Sequence, residues 1–176
     1  MKNVLLPTDL TVQSLTPVHQ VVRDAKNEKL VISIVHMLSL PTSITDLLFL
    51  EDNKPYDKVP GNFIEGYEML SNKYKKVLEK LEFKFLYCSN SRYLNNYLEG
   101  HRVDKVYMLD HYRYKEPLQQ SQKFTGFIEK CKVPLVKLPL RDHELLEYQI
   151  LSSLLSGNDT KGVNAGNSGK KAISYS

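Results

Sequence analysis

The sequence predicts an α/β domain built on an open, doubly wound sheet of five parallel strands. Five short apolar runs alternate with segments whose apolar residues recur three and four positions apart, as on one face of a helix. The run LVISIVHM is apolar almost throughout, which is typical of a strand buried on both faces of a parallel sheet. Strands that alternate with helices favour parallel pairing through right-handed crossovers.

The first half of the chain supplies two of the strands. NVLL at 3–6 is predicted as the first, ended by Pro7, and LVISIVHM at 30–37 as the second. Between them, 14–27 is predicted as a helix, with Thr16 before Pro17 as its N-cap or Ser14 in that role. Prolines interrupt 38–61, which predicts a loop with one short helix at 43–50. An amphipathic helix is expected at 62–81, with Asn62 as its N-cap.

The second half continues the alternation. EFKFLYC at 82–88, DKVYMLD at 104–110 and VPLVKL at 133–138 are the third, fourth and fifth predicted strands. Helices are expected at 91–99, ended by Gly100, and at 119–131, with Phe124, Phe127 and Ile128 facing inward. Asp142 caps a last amphipathic helix at 142–155. The domain is therefore expected to span 1–155, with a flexible tail rich in Gly, Asn, Ser and Lys at 156–176.

Composition narrows the class of protein. The formal net charge of +4 comes from lysines and arginines spread among acidic residues, which indicates a solvated surface and no nucleic-acid partner. Cys88 and Cys131 lie in apolar surroundings, so we expect reduced, buried thiols in a cytoplasmic protein. The opening MKNVLLPTDL has no secretory pattern, and no apolar stretch approaches the roughly 20 residues that cross a membrane. We therefore expect no membrane partner.

The predicted topology places a candidate site. In open α/β sheets, ligands bind beyond the carboxyl ends of the strands, where the strand order reverses. Thr8 and Asp9 follow the first strand, His36 and Met37 end the second, and Asp110 ends the fourth. We expect these residues to lie close together.

The motifs at these positions carry a family resemblance. NVLLPTDLTVQS resembles the opening of universal stress proteins, with an apolar strand, Pro-Thr-Asp and a serine near the first helix. LVISIVHM, DKVYMLD and CKVPLVKL resemble the second, fourth and closing strands of that family. The resemblance covers roughly 1–138. It implies the strand order 3-2-1-4-5 and a homodimer paired through the last strand, whereas the extra helix at 142–155 departs from the minimal family pattern.

The sequence departs from the family in the loop after the fourth strand. Nucleotide-binding members have a Gly-x2-Gly-x9-Gly-Ser/Thr pattern there, which lets backbone N–H groups approach the phosphates. This chain has no glycine from Asp110 to Thr125, and Gly126 lies inside the predicted helix. Asp110 places a negative charge where the first glycine usually stands. We therefore expect no ATP binding in the family manner and no cofactor.

Two roles stay open for the residues of the candidate site. Asp9 either contacts a ligand or satisfies backbone N–H groups in a turn. In HYRYK, at 111–115, the basic residues either grip an anion while the tyrosines stack on a base, or the tyrosines fill the pocket while the charges face water. The candidate ligand-binding residues are Thr8, Asp9, Met37, Asp110, His111, Arg113 and Ser121.

The motifs do not favour catalysis. The sequence lacks a Gly-x-Ser-x-Gly elbow, an HExxH motif and a Cys-x-x-Cys pair, so no catalytic or metal-binding residues are expected. The preferred hypothesis is a non-catalytic module that acts through protein contacts in a stress or signalling response, as a homodimer with an unidentified protein partner. The alternative is a sensor of a small ligand or an adenine nucleotide that uses the altered loop after the fourth strand. An enzyme on a related nucleotide-binding fold ranks last.

Overall fold

The centre of the molecule is a five-stranded sheet in which every strand pair is parallel. The computed structural model describes residues 1–26, 28–45 and 55–141. The sheet has the order β3-β2-β1-β4-β5, which confirms the predicted fold class and strand order. The strands are β1 (Lys2–Pro7), β2 (Leu30–Leu38), β3 (Leu78–Tyr87), β4 (Lys105–Leu109) and β5 (Leu135–Leu138).

Four described α-helices connect these strands. They are α1 (Pro17–Asp24), α2 (Gly61–Lys73), α3 (Ser91–Gly100) and the single-turn α4 (Thr125–Ile128), with 3-10 turns at Gln13–Leu15 and Pro55–Lys58. None of the helices in these described ranges is long and apolar enough to cross a membrane. The predicted helix at 142–155 and the tail at 156–176 lie outside the described residues, as does most of the predicted helix at 43–50.

Two apolar clusters cover the two faces of the sheet. Val4 and Leu6 of β1 pack with α1 and α2 on one face, where Val18 and Leu70 are fully buried. Leu5 packs on the other face with residues of α3 and α4. Successive side chains of a strand point to opposite faces, so β1 contributes to both clusters and is buried between two helical layers.

The third strand begins earlier than predicted, because the helix before it is shorter. The prediction of one helix over 62–81 is confirmed for 62–73 and wrong beyond it, since α2 ends at Lys73 and β3 starts at Leu78. Leu78 and Leu81 continue the apolar spacing of a helix, but β3 pairs with β2 from Leu78 onward. The sheet hydrogen bonds therefore override the local pattern.

The predicted N-caps also differ from the structure. Pro60, with an extended backbone, precedes α2, so Asn62 lies inside the helix. Thr16 is the residue before α1, but its hydroxyl donates to the carbonyl of Gln13 and caps no helical N–H. The Ser14 hydroxyl donates to the carbonyl of Thr11 and does not cap the helix either.

The segment before α4 is not helical, so the helix predicted at 119–131 is wrong except for one turn. Its backbone pairs instead with the end of β2. Ser39 N donates to Gln120 O at 2.7 Å, and Gln122 N donates to Met37 O at 2.9 Å. These bonds form an antiparallel bridge that lays the segment across the carboxyl end of the sheet. Phe124 and Ile128 are nonetheless buried, as predicted, and Phe127 packs against the same cluster while partly buried.

Candidate functional site

The chain turns sharply just after β1, at the point where the strand order reverses. Thr8 is fully buried there, and its backbone N–H still donates to Val35 of β2 at 2.9 Å. The Thr8 hydroxyl lies 2.6 Å from the Ser14 hydroxyl and accepts from Leu10 N at 3.0 Å. Leu10 has a φ of 62°. This lies in the left-handed region, where a leucine has a higher conformational free energy than in the usual helical or extended regions. The turn is held by these side-chain bonds.

Asp9 has its carboxylate saturated by hydrogen bonds from its own chain. The residue has no exposed surface. Its Oδ1 accepts from the backbone N–H of Thr11 at 3.2 Å and from the Thr11 hydroxyl at 2.5 Å. Its Oδ2 accepts from the Tyr112 hydroxyl and from the backbone N–H of Lys115, both at 2.9 Å. A carboxylate has about four acceptor positions, so Asp9 has none left for a ligand.

Two tyrosines of the loop after β4 fill the space above Asp9. The rings of Tyr112 and Tyr114 meet edge to face at 4.8 Å between centroids, and Tyr114 packs in the same way on Phe124 at 4.9 Å. The Tyr114 hydroxyl accepts from the backbone N–H of Leu109 at 2.9 Å. Burial raises the pKa of Tyr112 to about 12; the contact with Thr11 acts in the opposite direction, and the charge of Asp9 adds to the increase. Burial also raises the pKa of Tyr114. Both phenols are therefore neutral hydrogen-bonding groups at physiological pH.

A second network closes the end of β2. His36 is 1 % exposed, and its Nδ1 lies 2.7 Å from the carbonyl oxygen of Thr8. A carbonyl can only accept, so Nδ1 carries the proton and Nε2 is the acceptor. Nε2 lies 2.9 Å from the Ser121 hydroxyl, which therefore donates to it and accepts from Leu118 N at 3.0 Å. Ser121 thus ties the segment across the sheet to the first strand.

No protein-family model matches the chain, and no curated protein matches it. Among solved structures, the hypothetical protein MJ0577 shares 14 % identity, with 80 % of this chain and 96 % of that chain covered and a TM-score of 0.52. The hypothetical protein PH0823 shares 16 % identity over 80 % and 97 % of the two chains, with a TM-score of 0.50. A universal stress protein solved in complex with cAMP shares 14 % identity over 80 % and 98 %, with a TM-score of 0.47.

The chain has the fold of the universal stress proteins. The resemblance seen in the sequence is thus confirmed at the level of fold. At the carboxyl end of this sheet, side chains of the chain itself fill the space above Asp9.

The seven candidate ligand residues fall into two groups that differ in their exposure to solvent. Thr8, Asp9 and Met37 are fully buried, and Ser121 lies beside them through its bond to His36. His111 and Arg113 extend into solvent, and Asp110 is partly exposed. The side chain of His111 is 94 % exposed and lies 3.3 Å from the Asp110 carboxylate. The basic residues and the tyrosines of HYRYK therefore face opposite ways.

Several contributors to the site were not among the seven candidate ligand residues, and Tyr112 and Tyr114 are two of them. His36 joins the two networks, Thr11 supplies two of the donors to Asp9, and Lys115 contributes its backbone N–H. The sequence HYRYK did indicate how this loop is oriented. Its charged and aromatic residues alternate, and successive residues of an extended chain point to opposite sides.

Ser121 and His36 form a hydroxyl–imidazole pair at the distance that nucleophile activation requires. Burial lowers the pKa of His36, with the Thr8 carbonyl and Asp9 acting in the opposite direction. A lowered pKa disfavours the imidazolium that would form if His36 took a proton from Ser121. Within the described ranges, no cluster of three or more His, Cys, Asp or Glu side chains could hold a metal ion. The pair is therefore best explained as a structural link.

Proposed function

We propose that this chain is a non-catalytic universal-stress-type module that acts through protein contacts in a stress or signalling response. In this proposal, no adenine nucleotide occupies the position above Asp9. The observation that carries it is the saturated carboxylate of Asp9, whose four hydrogen bonds all come from the chain itself.

A ligand entering this position would have to displace the loop after β4. It would break the bonds of Tyr112 and of the Lys115 N–H to Asp9, which are worth roughly 1.5–3 kcal/mol each because the acceptor is charged. It would also separate Tyr114 from Phe124. A ribose hydroxyl could replace one of these donors, whereas the phosphates would meet the Asp110 carboxylate and a loop without glycine. Replacing the loop's own contacts with those of a nucleotide is therefore unfavourable.

The test is thermal melting of the full chain with and without millimolar ATP, ADP and AMP in the presence of magnesium. A ligand at 100 times its dissociation constant adds about 2.7 kcal/mol to the free energy of unfolding, which is a readily measured shift. The proposal predicts no shift with any of the three. A shift that disappears in Asp9→Asn would overturn it.

One observation favours the alternative, a sensor that opens to admit a small ligand. Leu10 and His111 both have positive φ, at 62° and 51°, and they flank the contact between Asp9 and Tyr112. Left-handed residues other than glycine cost of order 1 kcal/mol or more each, which lowers the free energy needed to open the loop. Tyr112→Ala removes the contact and tests this directly. Nucleotide-dependent melting in that variant but not in Tyr93→Ala, on the exposed side of α3, would indicate a closed sensor.

The proposed protein contact begins with a second copy of the chain at β5. Within the described residues β5 pairs only with β4, and Leu135, Val136 and Leu138 are partly exposed. The carbonyls of Pro134 and Leu138 accept from β4, so the backbone groups of Leu135 and Lys137, at the alternate positions, point away from the sheet. An antiparallel partner strand would bond to those groups.

This contact can be tested at one position. Lys137→Pro removes an outward N–H without removing a bond to β4, and proline is tolerated on an edge strand in this orientation. Lys137→Ala is the matched control, because it loses the same ion pair with Glu129 but keeps the N–H. Light scattering after size exclusion should give a dimer for the wild type and Lys137→Ala and a monomer for Lys137→Pro. A wild-type monomer, or a dimer in all three, would refute pairing through β5.

A further inference from the structure

A second concave site lies at the opposite end of the sheet, between the end of α1 and the first residues of β1, β2 and β4. It is a cavity of about 310 Å³. Its apolar wall is formed by Val4, Val21, Ala25 and Leu30, all of them buried. β1 separates it from the Asp9 networks by roughly 17 Å, at about 3.3 Å per residue. The two sites are therefore independent.

The polar groups that face this cavity are of two kinds. The carboxylates are already engaged: Asp24 accepts from Gln20 at 2.7 Å, and Asp104 accepts from the backbone N–H of Asn3 at 2.8 Å. Lys2 lies 2.8 Å from Glu28 and is likewise paired.

The remaining groups are donors. Tyr107 is 5 % exposed and lines the cavity, and its hydroxyl has no hydrogen-bond partner among the described residues. Lys26 and Lys105 line the cavity as well, and neither has a carboxylate partner within 1–26, 28–45 and 55–141. Lys2 is paired with Glu28 and Arg23 bonds to the side chain of Gln20, so Lys26 and Lys105 are the cations that this cavity offers to a ligand. An acceptor with negative charge is the group that satisfies this set.

We propose that this cavity binds a small organic anion. The head of the ligand, a carboxylate or a phosphate monoester, accepts from Tyr107, Lys105 and Lys26. Its body is a ring or a branched chain that lies on Val4, Val21 and Leu30. A pocket with an apolar wall and a few convergent polar groups is the usual form of a small-molecule site.

The experiment is a titration of the ¹⁵N-labelled full chain, followed by amide chemical shifts, with four probes. Phenyl phosphate and benzoate carry both parts of the proposed ligand, inorganic phosphate carries the head alone, and benzyl alcohol carries the body alone. We expect saturable shifts with phenyl phosphate or benzoate at Val4, Ala25 and Lys105, and none at Thr8–Thr11. The stronger of these two probes identifies the head group.

Three variants complete the test. Tyr107→Phe keeps the ring and removes the hydroxyl, and Lys105→Gln removes one charge; each should weaken binding about tenfold, as expected for a hydrogen bond to a charged group. Lys123→Gln, on an exposed lysine near the other end of the sheet, should leave binding unchanged. The proposal is overturned if neither aromatic anion binds, if inorganic phosphate or benzyl alcohol binds equally well, or if both cavity variants bind like the wild type.

Discussion

The hydroxyl of Tyr112 is the most informative single group of the Asp9 network. Tyr112→Phe removes one oxygen atom and leaves the ring against Tyr114. The Asp9 carboxylate then loses one of its two Oδ2 donors in a position without exposed surface, so water cannot replace it without a rearrangement of the loop. The loss of a hydrogen bond to a charged group costs roughly 1.5–3 kcal/mol. We expect the free energy of unfolding to fall by about 2 kcal/mol.

Equilibrium unfolding in urea measures this quantity, and melting should show a decrease of about 4–8 °C for a chain of this length. Tyr93→Phe is the matched control, since Tyr93 is 44 % exposed and its hydroxyl has no partner among the described residues. That variant should stay within about 0.5 kcal/mol of the wild type. Equal stability of Tyr112→Phe and Tyr93→Phe would refute the argument that Tyr112 satisfies Asp9.

Three further predictions concern other buried polar groups. Ser121→Ala leaves Nε2 of His36 without its donor and should lower the free energy of unfolding by about 1–3 kcal/mol in urea titrations; an unchanged midpoint would contradict the assigned tautomer. Because burial lowers the pKa of His36, the imidazole is protonated at a lower pH in the folded state than in the unfolded state. Wild-type stability should therefore fall as the pH drops below 6.5, and it should fall less steeply in His36→Gln. Burial raises the pKa of Glu82, but bonds from Lys80, Lys84 and Ser33 outweigh it and bring the pKa to about 2. The stabilisation this gives is present above pH 4.5 and should be lost as the pH falls from 4.5 to 2, with a flatter profile in Glu82→Gln.

The fold was predictable because its central strands are unambiguous in the sequence. NVLL and LVISIVHM are short, apolar and bounded by turn residues, so local sequence and sheet pairing agree. The end of α2 was not predictable in the same way, since Leu81 fits a helical spacing from Leu78 and a strand spacing with Phe83. Pairing with β2 decides between the two, and that pairing joins residues almost fifty positions apart.

The candidate site was predictable in position but not in content. The rule that ligands bind where the strand order reverses places the ends of the first two strands side by side, and Thr8 and His36 do meet there, because the carboxyl ends of parallel strands share one edge. The contact between Asp9 and Tyr112 spans 103 positions, and no local pattern specifies it. The same holds for Ser121, whose stretch 119–124 contains no glycine or proline and departs from a helix because its backbone bonds to the end of β2.

The most direct test of the filled site is hydrogen exchange at the backbone amide of Lys115. The Lys115 side chain is exposed, yet its N–H donates to the buried Asp9 carboxylate at 2.9 Å. The neighbouring Glu116 is also exposed, and its N–H has no partner in the part of the chain that the structure describes. The account predicts that Lys115 exchanges far more slowly than Glu116 and that millimolar AMP or ATP leaves both rates unchanged. Exchange of Lys115 as fast as that of Glu116 would show that the space above Asp9 is open, and it would contradict the proposed function.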